Sequence, residues 1–165
     1  MKSAAGMILM IIGGSLLGLA AVKRLSDRTK ILGTLVSAID YLQAEIKYGL
    51  TALPDIMKKL AINYPELFFS RCAKPVTPDE GFGAIWKNAV KEARLPLRAN
   101  EIQALEELGN VLGRFDADAQ EAAIQLARER LQVSYTESRD EQLVKSRLFG
   151  FLGVGLGVVV AILLV

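Results

Sequence analysis

The chain has 165 residues, 52% of them hydrophobic, with a net charge of +2, no histidine and a single cysteine. These counts exclude an internal disulfide and remove the usual ligands of a zinc site and the Cys/His pairs of many nucleophilic enzymes. We therefore predict no catalytic site, no metal, no cofactor and no small-molecule substrate, and a lone Cys72 that packs as a small apolar residue. Residues 31–138 contain 12 Lys/Arg and 15 Asp/Glu, and this mildly acidic balance argues against nucleic-acid binding.

The first element is an uncharged run of nineteen residues, 4–22. As a helix it would be about 28 Å long, close to the hydrocarbon thickness of a bilayer. The alternative is a cleaved signal peptide, with Lys2 as the charged start and Gly18-Leu19-Ala20 as the cleavage site. The length of the run favours a membrane helix, and so does the basic cluster that follows it, Lys23, Arg24, Arg28 and Lys30.

The last element is a second uncharged run, residues 148–165, preceded by Arg139, Lys145 and Arg147. It predicts a second transmembrane helix. Because positive charge stays on the cytosolic side, both chain ends are expected outside the cytosol. The predicted domains are an N-terminal transmembrane helix (1–22), a cytosolic helical bundle (23–147) and a C-terminal transmembrane helix (148–165).

Between these runs, apolar residues recur every seven positions at Leu25, Leu32, Ile39 and Ile46. The spacing predicts that the first membrane helix continues as a cytosolic helix to about Tyr48, where Gly49 would stop it. This seam fits the core of a helical bundle, and the alternative is a dimeric coiled coil.

Proline, glycine and capping residues divide the rest into helices. We predict helices over Pro54–Ala61, from Tyr64-Pro65-Glu66 to Cys72, after a capping box at Thr77-Pro78-Asp79-Glu80, over Glu101–Leu112 with Asn100 as its cap, and from Ala117 onward. Residues 134–142 lose their apolar face and predict a solvated helical stalk. No strand is expected, so the fold class is an all-α, membrane-anchored helical bundle.

Small residues repeat every four positions in both uncharged runs, at Gly14, Gly18, Gly153, Gly157 and Ala161. This spacing places them on one helix face and favours close packing of the two anchors on each other or on partner subunits. The alternative is the general abundance of glycine in membrane helices.

Two blocks and the closing run resemble the stage III sporulation protein AB family of endospore-forming bacteria. The first block is Leu42-Gln43-Ala44-Glu45-Ile46-Lys47-Tyr48-Gly49, followed by Thr51 and Leu53-Pro54-Asp55, with Ala52 where the family usually has proline. The second is Leu108-Gly109 with Leu112-Gly113-Arg114-Phe115-Asp116, leading to Gln120. The family is similar to the inner-membrane platform protein of type II secretion systems.

The resemblance implies a non-enzymatic membrane platform in the channel complex between mother cell and forespore. The chain would lie in the outer forespore membrane, with its bundle in the mother-cell cytosol. It would dock a secretion-type ATPase, stage III sporulation protein AA, beside other SpoIIIA membrane components and the lipid bilayer. The candidate docking residues are Glu45, Tyr48, Arg114, Asp116 and Gln120; alternatively, Tyr48 and Gly49 only shape a corner between helices.

A rival function is a small pore-forming or transporter subunit of the forespore membrane, with the glycine-rich helices lining a path. The two uncharged runs contain no ionisable residue, which argues against an ion or proton carrier.

Overall fold

The computed structural model describes residues 2–49, 51–73, 81–113 and 117–164. For residues 2–19, 21, 117, 146–147 and 149–164 it describes the helical backbone alone. Within these ranges the chain forms helices and no strand, so the all-α prediction is confirmed. The helices are α1 (Lys2–Tyr48), α2 (Leu53–Asn63), α3 (Phe69–Cys72), α4 (Phe82–Glu92), α5 (Ala99–Val111) and α6 (Ala117–Leu164).

The chain divides into two compact units, and both divisions fall inside long helices. One unit, which we call the helix pair, comprises, among the described residues, 2–29 of α1 and 137–164 of α6. The other, the bundle, comprises Lys30–Thr136. Among the described residues, no helix is both long enough and apolar enough to cross a membrane.

The seven-residue seam of α1 packs inside the bundle's own core, which favours the bundle over a coiled coil. Leu32, Leu35, Ile39 and Leu42 are fully or almost fully buried. Ile46, at the end of the seam, is half-buried against the same cluster. The single cysteine is also buried among these apolar side chains, as predicted.

An aromatic cluster joins the short helices of the bundle. The ring of Phe68 meets that of Trp86 edge-on at 4.8 Å, and the ring of Phe69 lies 4.6 Å from that of Phe68. Trp86 is completely buried, and its indole Nε1 donates a 2.7 Å hydrogen bond to the backbone oxygen of Leu105. Since a buried indole N–H needs an acceptor, this bond sets how α4 packs on α5.

The predicted starts of α3 and α5 were wrong. The helix predicted from Tyr64-Pro65-Glu66 to Cys72 has only four residues and begins at Phe69. Around its start, the backbone N–H of Leu67 bonds the oxygen of Tyr64 and that of Arg71 bonds the oxygen of Phe68, so this segment forms single turns and not one continuous helix. Helix α4 begins at Phe82, after Gly81, and the predicted capping box at Thr77–Glu80 lies outside the described residues.

Helix α5 begins one residue before Asn100, with Arg98 as its N-cap. The backbone N–H of Arg98 donates a 2.7 Å hydrogen bond to Oε2 of Glu101. The Glu101 carboxylate thus replaces the predicted Asn100 side chain as the group that stabilises the helix start.

The predicted solvated stalk over residues 134–142 was wrong at two serines. Ser134 is 5% exposed and Ser138 is fully buried, while their neighbours Thr136, Glu137 and Arg139 are exposed. Serine has too little apolar surface to register in a hydrophobic pattern, so these buried positions gave no signal in the sequence.

Candidate partner-docking site

Four helix ends meet at one end of the bundle, where α1 and α5 finish and α2 and α6 begin. The ammonium group of Lys47, in the last turn of α1, contacts Oε1 of Glu121, in the first turns of α6, at 2.5 Å. Gly113, just after α5, has φ +81°, and a Cβ there would lie 3.3 Å from Leu53 Cδ2 at the start of α2. We call this end, with residues 45–49, 51–53, 113 and 120–121, the distal face.

The carboxylate of Glu45 organises the corner between α1 and α2. Its Oε1 accepts hydrogen bonds from the Tyr41 hydroxyl at 2.9 Å and from Lys59 Nζ at 2.9 Å. Its Oε2 accepts from the Thr51 hydroxyl at 2.8 Å and from Lys59 at 3.0 Å. Three donors from α1, the following turn and α2 therefore converge on one carboxylate, whose side chain is only 16% exposed.

These contacts shift the pKa values of the groups that make them. The hydrogen bond from Lys59, followed by those from Thr51 and Tyr41, lowers the pKa of Glu45. The same carboxylate raises the pKa of Lys59 and of the Tyr41 hydroxyl. These donors favour the ionised form of Glu45, and its lone pairs are already occupied by groups of its own chain.

Position 49 requires a glycine, because this corner has no space for a side chain. A Cβ on Gly49 would lie 2.7 Å from the backbone oxygen of Glu45 and 2.8 Å from its Oε2. The Gly49 N–H bonds that same backbone oxygen at 3.0 Å. The predicted end of α1 at this glycine is confirmed, and its physical reason is the close approach of the Glu45 carboxylate.

Tyr48 projects from this corner into solvent, with 78% of its surface exposed. Across the distal face, Gln120 accepts a 3.2 Å hydrogen bond at its Oε1 from the backbone N–H of Gly113. The structure therefore brings Glu45, Tyr48 and Gln120 to one end of the bundle, through the contact between Lys47 and Glu121. Arg114 and Asp116 lie outside the described residues.

The predicted membrane-packing residues lie in the long helices. Gly14 and Gly18 are in α1, and Gly153, Gly157 and Ala161 are in α6. The surroundings of these five positions lie outside the described residues, so their packing stays a prediction.

Sequence reasoning missed Thr51 and Lys59 as partners of Glu45. Lys59 is fourteen residues away, and only the reversal of the chain between α1 and α2 brings it near. Tyr41 is four residues from Glu45 on one helix, so helical spacing contained a signal for that pair. Within the described ranges, no group of three or more acidic or cysteine side chains could hold a metal ion.

Comparison with known proteins identifies the family of this chain. The family model of stage III sporulation protein AB matches residues 3–165. The stage III sporulation protein AB of Bacillus subtilis (strain 168) is 26% identical over 165 residues, covering 96% of each chain. A solved structure of a stage III sporulation protein AB has a TM-score of 0.65 at 25% identity, covering 72% of this chain and 98% of the other. The chain belongs to the stage III sporulation protein AB family.

Proposed function

We propose that the chain is a non-enzymatic component of the stage III sporulation complex that docks a secretion-type ATPase on its distal face. Family membership supports a role among the components of that complex. The observation that carries the docking proposal is the exposed Tyr48 on an end of the bundle where the Lys47–Glu121 ion pair and the shared Glu45 carboxylate join α1 to α6 and α2. Tyrosine is one of the residue types enriched among the anchors of protein interfaces.

Within this proposal Glu45 acts as a positioning residue. Its carboxylate is occupied by Tyr41, Thr51 and Lys59, so it holds the corner from which Tyr48 projects. Gln120 has a similar part at the start of α6, through its contact with Gly113.

We further propose that residues 1–22 and 148–165 span the outer forespore membrane and that residues 23–147 face the mother-cell cytosol. The support is the two charge-free runs with cationic residues on their inner sides. Asn63→Cys tests this orientation, because Asn63 is exposed at the end of α2 and the native Cys72 is buried. A membrane-impermeant maleimide should label that variant in inside-out vesicles and leave it unlabelled in right-side-out vesicles; the reverse pattern would overturn the topology.

The docking proposal is tested by capture of purified stage III sporulation protein AA on the full chain in nonionic detergent. Tyr48→Ala should weaken capture at least tenfold, since truncating an interface anchor costs that much or more. Ile62→Ala is the matched control, because Ile62 is also 78% exposed but lies at the other end of α2. Equal capture by both variants would remove Tyr48 and the distal face as the docking site.

A further inference from the structure

Two polar contacts define how α1 and α6 align in the helix pair. The Thr29 hydroxyl donates to the backbone oxygen of Leu25 at 2.9 Å, so the 2.7 Å contact with the Ser138 hydroxyl is donated by Ser138. One turn further, Gln142 Nε2 donates to the Ser26 hydroxyl at 3.3 Å. The two helices therefore run antiparallel, with Ser26 beside Gln142.

This alignment brings cationic side chains of the two helices to one level. Lys23 precedes Ser26 by three residues and Lys145 follows Gln142 by three, so both lie about 4.5 Å along the axis from the same contact. Arg24 lies one residue away, and all three side chains are exposed. Beyond this level, residues 4–22 and 148–165 contain no charged residue. We call Lys23, Arg24 and Lys145 the cationic collar.

Charged residues of both signs lie on the opposite side of the collar. Asp27 and the buried Arg28 follow it on α1, and the exposed Glu137, Arg139 and Asp140 precede it on α6. Glu141 lies 3.8 Å from the ammonium group of Lys145 and neutralises part of its charge. The charged residues nearest to the collar ends of the charge-free runs are therefore all cationic, and charges of both signs mix farther away.

Apolar side chains are exposed at and just beyond the collar. Leu143, Val144 and Leu148 are 49%, 59% and 55% exposed. Long cationic side chains beside exposed apolar ones suit a bilayer interface, where the aliphatic parts contact acyl chains and the charged groups reach the phosphates.

We propose that the cationic collar binds the phosphate groups of anionic phospholipids, so that the chain selects these lipids over zwitterionic ones. The inference rests on the proposed membrane anchoring and adds the class of lipid that contacts it.

The test uses the full chain in nonionic detergent, mixed with equal amounts of phosphatidylglycerol and phosphatidylcholine that have identical acyl chains. Native mass spectrometry counts the bound lipids of each kind. The unmodified chain should retain phosphatidylglycerol at least fivefold over phosphatidylcholine, since each cationic residue near an anionic surface contributes roughly fivefold. The variant K23Q/R24Q/K145Q should bring this ratio close to one with the total lipid count unchanged.

A matched control removes three other exposed cations. The variant K58Q/K87Q/K91Q loses the same charge from the bundle and should keep the lipid ratio. A ratio near one for the unmodified chain, or an equal loss in both variants, would overturn the inference.

Flotation with pure phosphatidylcholine vesicles separates this inference from the anchoring on which it rests. A chain that floats but shows a lipid ratio near one would refute the lipid selectivity and leave the anchoring intact. A chain that does not float would refute both.

Discussion

Trp86 packs against Gly109 so closely that a Cβ on Gly109 would lie 2.1 Å from the indole Cδ1. The contact joins α4 to α5, one turn along α5 from the hydrogen bond between Trp86 and the Leu105 oxygen. A glycine inside a helix normally lowers its stability, by about 1 kcal/mol relative to alanine. Here the missing side chain makes room for the largest residue of the core.

Gly109→Ala should therefore destabilise the chain by about 1–3 kcal/mol, because the cost of overpacking exceeds the gain in helix propensity. Urea unfolding followed by tryptophan fluorescence measures this directly, since Trp86 is the only tryptophan of the sequence. Gly81→Ala is the control: its φ is −64° and a Cβ there meets nothing within 4 Å. We expect Gly81→Ala to change stability by less than about 0.5 kcal/mol, and equal effects of the two changes would contradict the steric argument.

The Glu45 corner should make stability depend on pH in the acid range. Hydrogen bonds from Lys59, Thr51 and Tyr41 lower the pKa of Glu45 below its ordinary value of 4.5. The stability that the ionised Glu45 adds to the folded state is therefore fully present above pH 4.5. It is lost as the pH falls through the lower pKa that Glu45 has in the folded state. The urea midpoint of the unmodified chain should fall more steeply between pH 5 and pH 3 than that of Glu45→Gln.

A second carboxylate controls for the general effect of acid. Glu92 is 68% exposed and contacts Arg71 at 3.4 Å, so Glu92→Gln removes the same charge without disturbing the α1–α2 corner. Its pH profile should follow that of the unmodified chain. If Glu45→Gln also followed it, Glu45 would not be the source of the acid sensitivity.

Cys72 should be chemically inert while the bundle is folded. Burial raises the pKa of its thiol to about 12, against a smaller lowering effect of Arg71. Compared with the ordinary thiol pKa of 9.0, the thiolate fraction at pH 8 falls roughly a thousandfold, and burial also blocks access. Alkylation by iodoacetamide at pH 8 should be at least a hundredfold slower in the folded chain than in 6 M guanidinium.

An exposed cysteine provides the comparison for this rate. In the Asn63→Cys variant, the thiol at the end of α2 should react at nearly the same rate in the folded and unfolded chain. Rapid alkylation of Cys72 in the folded state would show that α3 opens locally.

The periodic features of the fold could be read from the sequence because they depend on local spacing. The seven-residue repeat of Leu32 and Ile39 predicted a buried α1, and Gly49 predicted its end near Tyr48; both are confirmed. The all-α class follows for the same reason, since apolar residues at helical spacing recur through most of the chain. The family resemblance, which depended on the block that begins with Leu42–Gly49, the block from Leu108 to Gln120 and the closing run 148–165, is confirmed by the family match.

The boundaries of the short helices could not be read in the same way. Tyr64-Pro65-Glu66 and Asn100 have residue types that begin helices, yet α3 and α5 begin at Phe69 and Ala99. Residue types that can begin a helix stand close together in these segments, and at α5 the hydrogen bond from the Arg98 N–H to the Glu101 carboxylate stabilises one start among them.

By itself the sequence determined the helical class, the long first helix, the buried cysteine and the two charge-free runs, because periodicity and charge act over a few neighbouring residues. Only the tertiary structure decided that Lys59 and Thr51 share the Glu45 carboxylate, that Lys47 meets Glu121, and that Ser138 is buried beside Thr29. These contacts join residues 6 to 109 positions apart. Such pairs form only when folding brings distant turns of the chain together, and no local pattern encodes which turns will meet.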